Sequence, residues 1–226
     1  LIQRLNETGK PTIVVIISGR PLSLRYAAAH VPAIINAWEP GQFGGQAIAE
    51  IIYGKVNPSA KLAMTIPRSA GQISTWYNHK RSAFFHPAVC TDNKPLYPFG
   101  YGLSYTSFRY SNLKLSKQII PNDGKTQIIA SVTIENTGQR DGVEICQLYI
   151  NDLVSSVSRP VKELKDFLRV GLKAGEKRTV EFTITPDKLA FYDLNMNPIV
   201  EAGEFEVMIG GSSRDEDLQK ATFTIQ

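Results

Sequence analysis

The sequence lacks the features that define several classes of protein. No stretch of its 226 residues approaches the ~18 consecutive apolar residues of a membrane-spanning helix, and the longest apolar run, Ile13 to Ile17, has only the length of a strand. The formal net charge is a modest +4, with no run of four basic residues, which disfavours a nucleic-acid binder. We therefore predict no membrane span and no nucleic-acid partner.

Cysteine and histidine are also scarce. The two cysteines, Cys90 and Cys146, are too few for a disulfide framework, and neither has neighbours at the spacing of a metal site. Cys146 lies in an apolar strand pattern, so we predict that it is a buried free thiol. The segment "ISGRP" around Ser18 is not the G-x-S-x-G turn of a serine hydrolase. The sequence thus predicts no metal, no cofactor and no serine or cysteine nucleophile in this chain.

Carboxylates are sparse in the first half, which matters because sugar hydrolysis uses two of them ~5 to 9 Å apart. Only Glu7, Glu39, Glu50 and Asp92 occur there. Glu7 and Glu50 fall in predicted helices and are expected to be solvated. Glu39 follows a predicted strand, at the sheet edge where α/β proteins bind ligands, and is a candidate functional acid. It has no second acid close to it in sequence.

The first part of the chain alternates predicted strands and helices. The apolar, β-branched segment Pro11–Ser18 is typical of a strand buried on both faces of a parallel sheet. We predict the following elements after it: a helix at Leu22–Ala29, a strand at Val31–Trp38, a helix at Gly45–Gly54 and an extended third strand at Ala60–Pro67. This order indicates a doubly wound α/β domain.

These elements are too few to cover both faces of a parallel sheet, so we expect more protein to complete the domain. Leu1, Ile2 and Leu5 resemble the apolar side of the end of a helix, which Gly9 would terminate. The start of the sequence shows no basic region followed by an apolar core, so no signal peptide is visible. The chain therefore reads as a fragment of a longer protein.

From Phe108 onward the hydrophobic period changes to two. Apolar and polar residues alternate in Gln127–Asn136, Thr179–Thr185 and Glu204–Gly210, whereas Gly142–Ile150 is apolar on both sides, as a central strand is. Turn signals rich in Asn, Asp and Gly separate these segments. About seven short strands over ~115 residues are the pattern of a β-sandwich.

An irregular aromatic segment between the two regions, "STWYNHKRSAFFHP" (Ser74–Pro87), is the best candidate for ligand contact. Trp76 and Tyr77 can stack on a sugar ring or fill a core. His79 can hydrogen-bond to sugar hydroxyls or face water. Aromatic rings beside polar side chains suit a carbohydrate site, so we predict these three residues as substrate contacts. The alternative is a packed loop that holds an adjoining domain.

Five segments, in this order, resemble the C-terminal part of glycoside hydrolase family 3, the family of bacterial and plant β-glucosidases and β-xylosidases. They are "TGKPTIVVIISGRPL", "WEPGQFGGQAIAEIIYGKVNPSAKLAMTIPRSAGQIS", "WYNHK", "LYPFGYGLSYTSF" and "SRPVKELKDF". Members of the family typically have a barrel domain, an α/β sandwich domain and often a fibronectin type III-like β-sandwich. The resemblance implies that residues 1–90 are the C-terminal part of the α/β sandwich domain, 91–106 a connector and 107–226 the fibronectin type III-like module.

The resemblance also implies a function. The chain would be part of a retaining, exo-acting β-glycosidase, chiefly of the β-glucosidase type, whose substrates are β-linked oligosaccharides or aryl glycosides. In the family the nucleophile lies in the barrel and the acid/base glutamate lies upstream of the segment equivalent to Pro11. Neither catalytic carboxylate is therefore expected here, and the barrel and the rest of the α/β domain are the expected partners. Members of the family are typically periplasmic or secreted, so the resemblance implies such a location.

The stretch Trp38–Leu62 then becomes a structural corner of the α/β domain. Many relatives carry Glu where this sequence has Phe43, and we expect Phe43 to pack rather than to act chemically. An alternative function remains open: a non-catalytic module that binds carbohydrate or protein, or serves as a scaffold.

Overall fold

A pair of parallel strands lies at the centre of the first part of the chain. The computed structural model describes residues 1–72, 75–81 and 94–226. The elements of this part are α1 (Ile2–Asn6), β1 (Ile13–Ile17), α2 (Arg25–His30), β2 (Ala33–Trp38) and α3 (Gly44–Ile52). β1 and β2 pair in parallel, as a crossover through a helix requires. The predicted order of strands and helices is confirmed as far as α3.

The predicted third strand at Ala60–Pro67 is wrong. Ile66 forms only an isolated antiparallel bridge with Tyr97. Leu62 donates its N–H to the carbonyl of Tyr101 and accepts a hydrogen bond from the N–H of Gly100. Because these backbone groups bond to the chain that leads into the sandwich, they do not extend the sheet of β1 and β2.

The parallel pair is poorly covered within the described residues. Ile17 is 64% exposed, so the prediction that β1 is buried on both faces is wrong for the chain as described here. Phe43, which we expected to pack, precedes α3 and is 69% exposed. Both results have one cause: two strands and three short helices supply too little surface to bury these side chains.

The second part of the chain forms two sheets that pack face to face. A three-stranded sheet has the order β3-β5-β8, and a five-stranded sheet has the order β4-β12-β11-β6-β7. The strands and the short helix of this part are β3 (Phe108–Leu115), β4 (Ile119–Ile120), β5 (Ile128–Asn136), β6 (Gly142–Asp152), β7 (Glu163–Leu172), β8 (Lys177–Ile184), α4 (Pro186–Leu189), β9 (Phe191–Tyr192), β10 (Pro198–Ile199), β11 (Gly203–Gly210) and β12 (Leu218–Ile225). The predicted sandwich is confirmed.

The alternating residues of the strands form the core of this sandwich. Ile128, Ala130, Val132 and Ile134 of β5 are fully buried, as the period of two predicts. Cys146 lies in the same core as a free, buried thiol, which confirms the prediction for this residue. Cys90 lies outside the described residues.

The outer face of β6 explains why this strand reads as apolar on both sides. Tyr149 points out of the sandwich and packs with Met208 and Leu218 against Tyr77 and Phe99 of the preceding chain. The five-stranded sheet is therefore covered on both faces. This second, smaller cluster joins the two parts of the molecule.

Polar contacts reinforce this junction. Gln147 donates to the carbonyl oxygens of Gly100 and Gly211, and the hydroxyl of Tyr149 donates to the Gln147 side-chain oxygen. Asn57 donates to the carbonyl of Asp141, 84 residues away. No described helix has both the length and the hydrophobicity of a membrane span.

Candidate functional site

A cleft with a volume of about 830 Å³ lies where the irregular segment meets the outer face of the five-stranded sheet. One wall comes from residues 75–79 and 94–98, and the other from the sandwich. The three predicted contact residues, Trp76, Tyr77 and His79, all line it. The volume falls within the roughly 300 to 1,000 Å³ of small-molecule sites.

Trp76 presents its ring to solvent at this cleft. Burial alternates along residues 75–80, so that Tyr77 and His79 are half-buried while Trp76 and Asn78 are exposed. The segment turns at Tyr77 and Asn78 and is held to the sandwich by a bridge between Lys80 and Pro160. With 66% of its surface exposed, Trp76 leaves an aromatic surface open for stacking.

Tyr77 points the other way and anchors the segment. Its ring stacks on Phe99 with the centroids 4.3 Å apart and meets Tyr149 edge-on at 5.8 Å. Its hydroxyl accepts a hydrogen bond of 3.2 Å from the N–H of Leu164, the second residue of β7. This is the packed-loop arrangement that the sequence left open for the segment. A direct contact between Tyr77 and a sugar remains a prediction.

The backbone of His79 is bonded to the sandwich. Its carbonyl accepts the N–H of Val161 at 3.0 Å, and its Nδ1 lies 3.1 Å from the carbonyl oxygen of Lys80. The ring is half-buried at the edge of the cleft. Its contact with a sugar also remains a prediction.

The sandwich wall of the cleft carries a network of charged side chains. The Nζ of Lys162 lies 2.8 Å from Oδ1 of Asp215, which in turn lies 3.3 Å from the Nζ of Lys220. Lys220 also lies 3.9 Å from Oε2 of Glu206. Partial burial would raise the pKa of Asp215, but the hydrogen bond and charge of Lys162, together with Lys220, lower it below its ordinary value.

These acids do not have the properties of a glycosidase pair. A general acid for sugar hydrolysis needs a raised pKa, so that it still holds its proton near neutral pH. Asp215 has a lowered pKa, and both Asp215 and Glu206 form ion pairs with Lys220. Glu39, the candidate from the sequence, is exposed just after β2, in the space that Gly19 leaves by having no side chain.

Comparison with known families assigns both parts of the chain. Residues 1–105 match the glycosyl hydrolase family 3 C-terminal domain, and residues 144–213 match the fibronectin type III-like domain. This chain belongs to glycoside hydrolase family 3. It corresponds to the C-terminal part of the family's proteins, an α/β segment followed by a fibronectin type III-like sandwich.

Two relatives match this chain over nearly all its length. A putative β-xylosidase from Formosa agariphila is 42% identical over 100% of the chain, which spans 29% of that protein. A periplasmic β-glucosidase from Salmonella typhimurium is 43% identical over 94% of the chain, which again spans 29% of the relative. The chain thus spans less than a third of the length of either protein.

Solved structures show the same relation. A β-glucosidase from Erythrobacter marinus superposes with a TM-score of 0.94 at 41% identity, covering 100% of this chain and 29% of its own. A β-glucosidase from Listeria innocua in complex with glucose gives a TM-score of 0.89 at 35% identity, covering 99% of this chain and 32% of its own. The fold of this glycoside hydrolase family 3 segment is therefore shared with whole enzymes that are about three times longer.

Sequence reasoning missed the charged wall. Lys162 lies inside the family motif "SRPVKELKDF", but the spacing of that motif gives no sign that it faces Asp215, 53 residues later. The fold of the sheet brings the two together, because β7, β11 and β12 belong to one sheet.

Proposed function

We propose that this chain is the C-terminal part of a retaining, exo-acting β-glycosidase that removes terminal, non-reducing β-linked sugars. One observation carries the proposal: the chain matches a putative β-xylosidase and a periplasmic β-glucosidase at 42% and 43% identity over nearly its whole length. The substrates are β-linked oligosaccharides and aryl glycosides. A β-glucosidase is the preferred assignment, and the periplasm or the cell exterior is the proposed location.

In this role the chain supplies structure and substrate contacts, whereas the nucleophile and the acid/base group lie in the rest of the enzyme. The acids of the cleft support this division, because Asp215 and Glu206 are paired with lysines. We propose that residues 1–90 complete the α/β sandwich domain, 91–106 connect the domains and 107–226 form the sandwich. Trp76, Tyr77 and His79 are proposed to contact substrate.

The test compares the full-length enzyme with this chain alone. We expect the full-length protein to hydrolyse p-nitrophenyl β-glucoside or β-xyloside with retention of anomeric configuration. NMR of the released sugar measures this configuration. We expect the purified 226-residue chain to show no turnover of either compound. Turnover by the chain alone would contradict the proposed division of labour, and an inactive full-length protein would contradict the enzyme assignment.

The second candidate is a non-catalytic module that binds carbohydrate. The open cleft with the exposed Trp76 ring favours it, because such a surface can hold a sugar without any catalytic group. The measurement that separates the two candidates is the activity of the full-length protein. A binding module would retain affinity for saccharides and hydrolyse none of them.

A further inference from the structure

Lys162 is a nearly buried cation with one hydrogen-bond donor left over. Its side chain is only 8% exposed. Its Nζ donates to the carbonyl of Ser213 at 3.0 Å and to Asp215 at 2.8 Å. An ammonium group has three N–H donors, so one of them has no acceptor among the described residues. The residue lines the cleft, and a hydroxyl oxygen entering the cleft would complete its hydrogen bonds.

Asp215, next to Lys162, supplies a hydrogen-bond acceptor. The carboxylate is largely exposed and stays ionised because its lysine neighbours lower its pKa. A sugar hydroxyl both donates and accepts, so one hydroxyl, or two on adjacent carbons, can accept from Lys162 and donate to Asp215. Charge-assisted hydrogen bonds of this kind are the stronger ones in proteins.

The balance of charge on this wall indicates a neutral ligand. In the network of charged side chains on this wall, three cations, Lys162, Lys220 and Arg214, are matched by three acids, Asp215, Glu206 and Glu216. The opposite wall adds Arg68 and Lys94, of which Lys94 pairs with Glu216. A site for phosphate or a carboxylate ligand would need an excess of positive charge that this network does not have. Opposite it, the exposed ring of Trp76 offers the aromatic face that the C–H surface of a sugar ring packs against.

We propose that the sandwich wall of the cleft binds the leaving-group portion of a neutral β-linked oligosaccharide, with Lys162 and Asp215 on its hydroxyls and Trp76 on its ring face. This inference rests on the proposed function and extends it. An exo-acting enzyme holds the terminal sugar at the catalytic carboxylates, which are assigned to the rest of the protein. A sugar contact contributed by the sandwich therefore falls on the part of the substrate that leaves.

The first experiment measures the full-length enzyme with two substrates that share a terminal sugar. A β-linked disaccharide has hydroxyls in its leaving group, whereas the nitrophenyl group of the aryl glycoside has none. We expect Lys162→Met to raise KM for the disaccharide about tenfold with kcat nearly unchanged, as loss of a charge-assisted hydrogen bond predicts. KM for the aryl glycoside should change less than about twofold. Lys162→Arg, which keeps donors, should retain part of the disaccharide affinity.

Two further variants complete the design. Trp76→Ala should raise KM for both substrates, because an aryl ring and a sugar ring can each stack on the indole. Lys177→Met is the matched control, since Lys177 is an exposed lysine on the three-stranded sheet that pairs with Glu135. It should leave both KM values unchanged. Equal effects of Lys162→Met on the two substrates, or no effect on either, would overturn the proposal.

A binding experiment keeps this proposal separate from the enzyme assignment. If the full-length wild type hydrolyses neither substrate, the proposed function fails, and the cleft is then tested directly with this chain. In a Trp38→Phe background, the remaining Trp76 reports binding through its fluorescence. We expect the Trp76 fluorescence to change when the β-linked disaccharide binds. Lys162→Met should weaken the affinity for this disaccharide about tenfold. If the fluorescence did not change while Lys162 is intact, the proposal would be overturned.

Discussion

Lys61 and Glu144 form a nearly buried ion pair at the junction between the α/β segment and the sandwich. Their Nζ and Oε2 atoms lie 3.2 Å apart, with only 14% and 5% of the two side chains exposed. The hydroxyl of Tyr110 donates to the other Glu144 oxygen at 3.0 Å, and Lys61 also donates to the carbonyl of Gly102 at 3.0 Å. Removing one partner of such a pair leaves a buried charge without compensation.

We expect Lys61→Met to lower the free energy of unfolding by about 3 to 5 kcal/mol, the usual cost of breaking a buried pair. Adding Glu144→Gln to the same chain should recover more than half of this loss, because the orphaned carboxylate is then gone. Urea denaturation of the wild type, the two single variants and the double variant measures the coupling. Additive effects of the two substitutions would contradict the assignment of a coupled pair.

The pH dependence follows from the same pair. Burial raises the pKa of Glu144 above the ordinary 4.5, although Lys61 and Tyr110 oppose the shift. A carboxyl group with a raised folded-state pKa binds its proton more tightly in the folded state, so its contribution to stability is full below 4.5 and declines as pH rises through the raised value. The unfolding free energy of the wild type should therefore fall, relative to that of Glu144→Gln, as the pH rises from about 4.5 through the raised pKa of Glu144. If the difference in unfolding free energy between the wild type and Glu144→Gln did not depend on pH, the raised pKa of Glu144 would not contribute to stability.

Cys146 gives a second prediction at the residue scale. Burial raises the pKa of its thiol to about 12, so almost no reactive thiolate exists near neutral pH. In a Cys90→Ser variant, we expect Ellman's reagent at pH 8 to detect no thiol in the folded chain and one in urea. Rapid labelling of the folded variant would show that the sandwich opens locally at β6.

At the scale of elements, the segment that carries Trp76 depends on β7 for its position. The N–H of Val161 donates to the carbonyl of His79, and the N–H of Leu164 donates to the hydroxyl of Tyr77. Both contacts come from the "SRPVKELKDF" motif, whose start precedes β7. The motif therefore acts as the support on which the aromatic segment lies, while Lys162 between these two residues points to the cleft.

We expect Tyr77→Phe to reduce the free energy of unfolding by about 1 to 3 kcal/mol, since the N–H of Leu164 loses its acceptor. The matched control is Tyr53→Phe, because Tyr53 is almost fully exposed at the end of α3. It should change stability by less than about 0.5 kcal/mol. Equal stabilities of the two variants in urea would mean that the hydroxyl of Tyr77 does not hold the segment.

At the scale of the whole molecule, stability is concentrated in the sandwich. Its core contains fully buried residues from both sheets, whereas β1 carries the largely exposed Ile17 and lies in a sheet of only two strands. Isolated two-stranded pairings are marginal in water. The α/β segment is held to the sandwich by the cluster on the outer face of β6, by the Lys61–Glu144 ion pair and by the hydrogen bond from Asn57 to Asp141.

Hydrogen exchange of the 226-residue chain should show this difference. We expect amides of β5 and β6 to exchange most slowly, with protection that approaches the global unfolding free energy. Amides of β1 and β2 should exchange much faster, through local opening. Mass spectrometry of peptides from the two regions provides the measurement. Equal protection in both would show that the parallel pair shares the stability of the sandwich.

The sequence by itself determined the sandwich and the parallel pair. Strands such as β5 follow from local alternation, because side-chain direction in a strand has a period of two and one face must be buried. The five ordered motifs identified the family as well. Each of these signals is contained in a short stretch of chain and does not depend on a distant partner.

Only the tertiary structure decided where the remaining residues lie. It paired Ile66 with Tyr97 instead of adding a third strand, turned Tyr77 inward and Trp76 outward, and placed Lys162 beside Asp215. It also left Phe43 exposed, against expectation. The physical reason is common to all of these: which backbone groups pair, which faces are covered and which charges meet depends on segments far apart in the chain, and no local pattern contains that information.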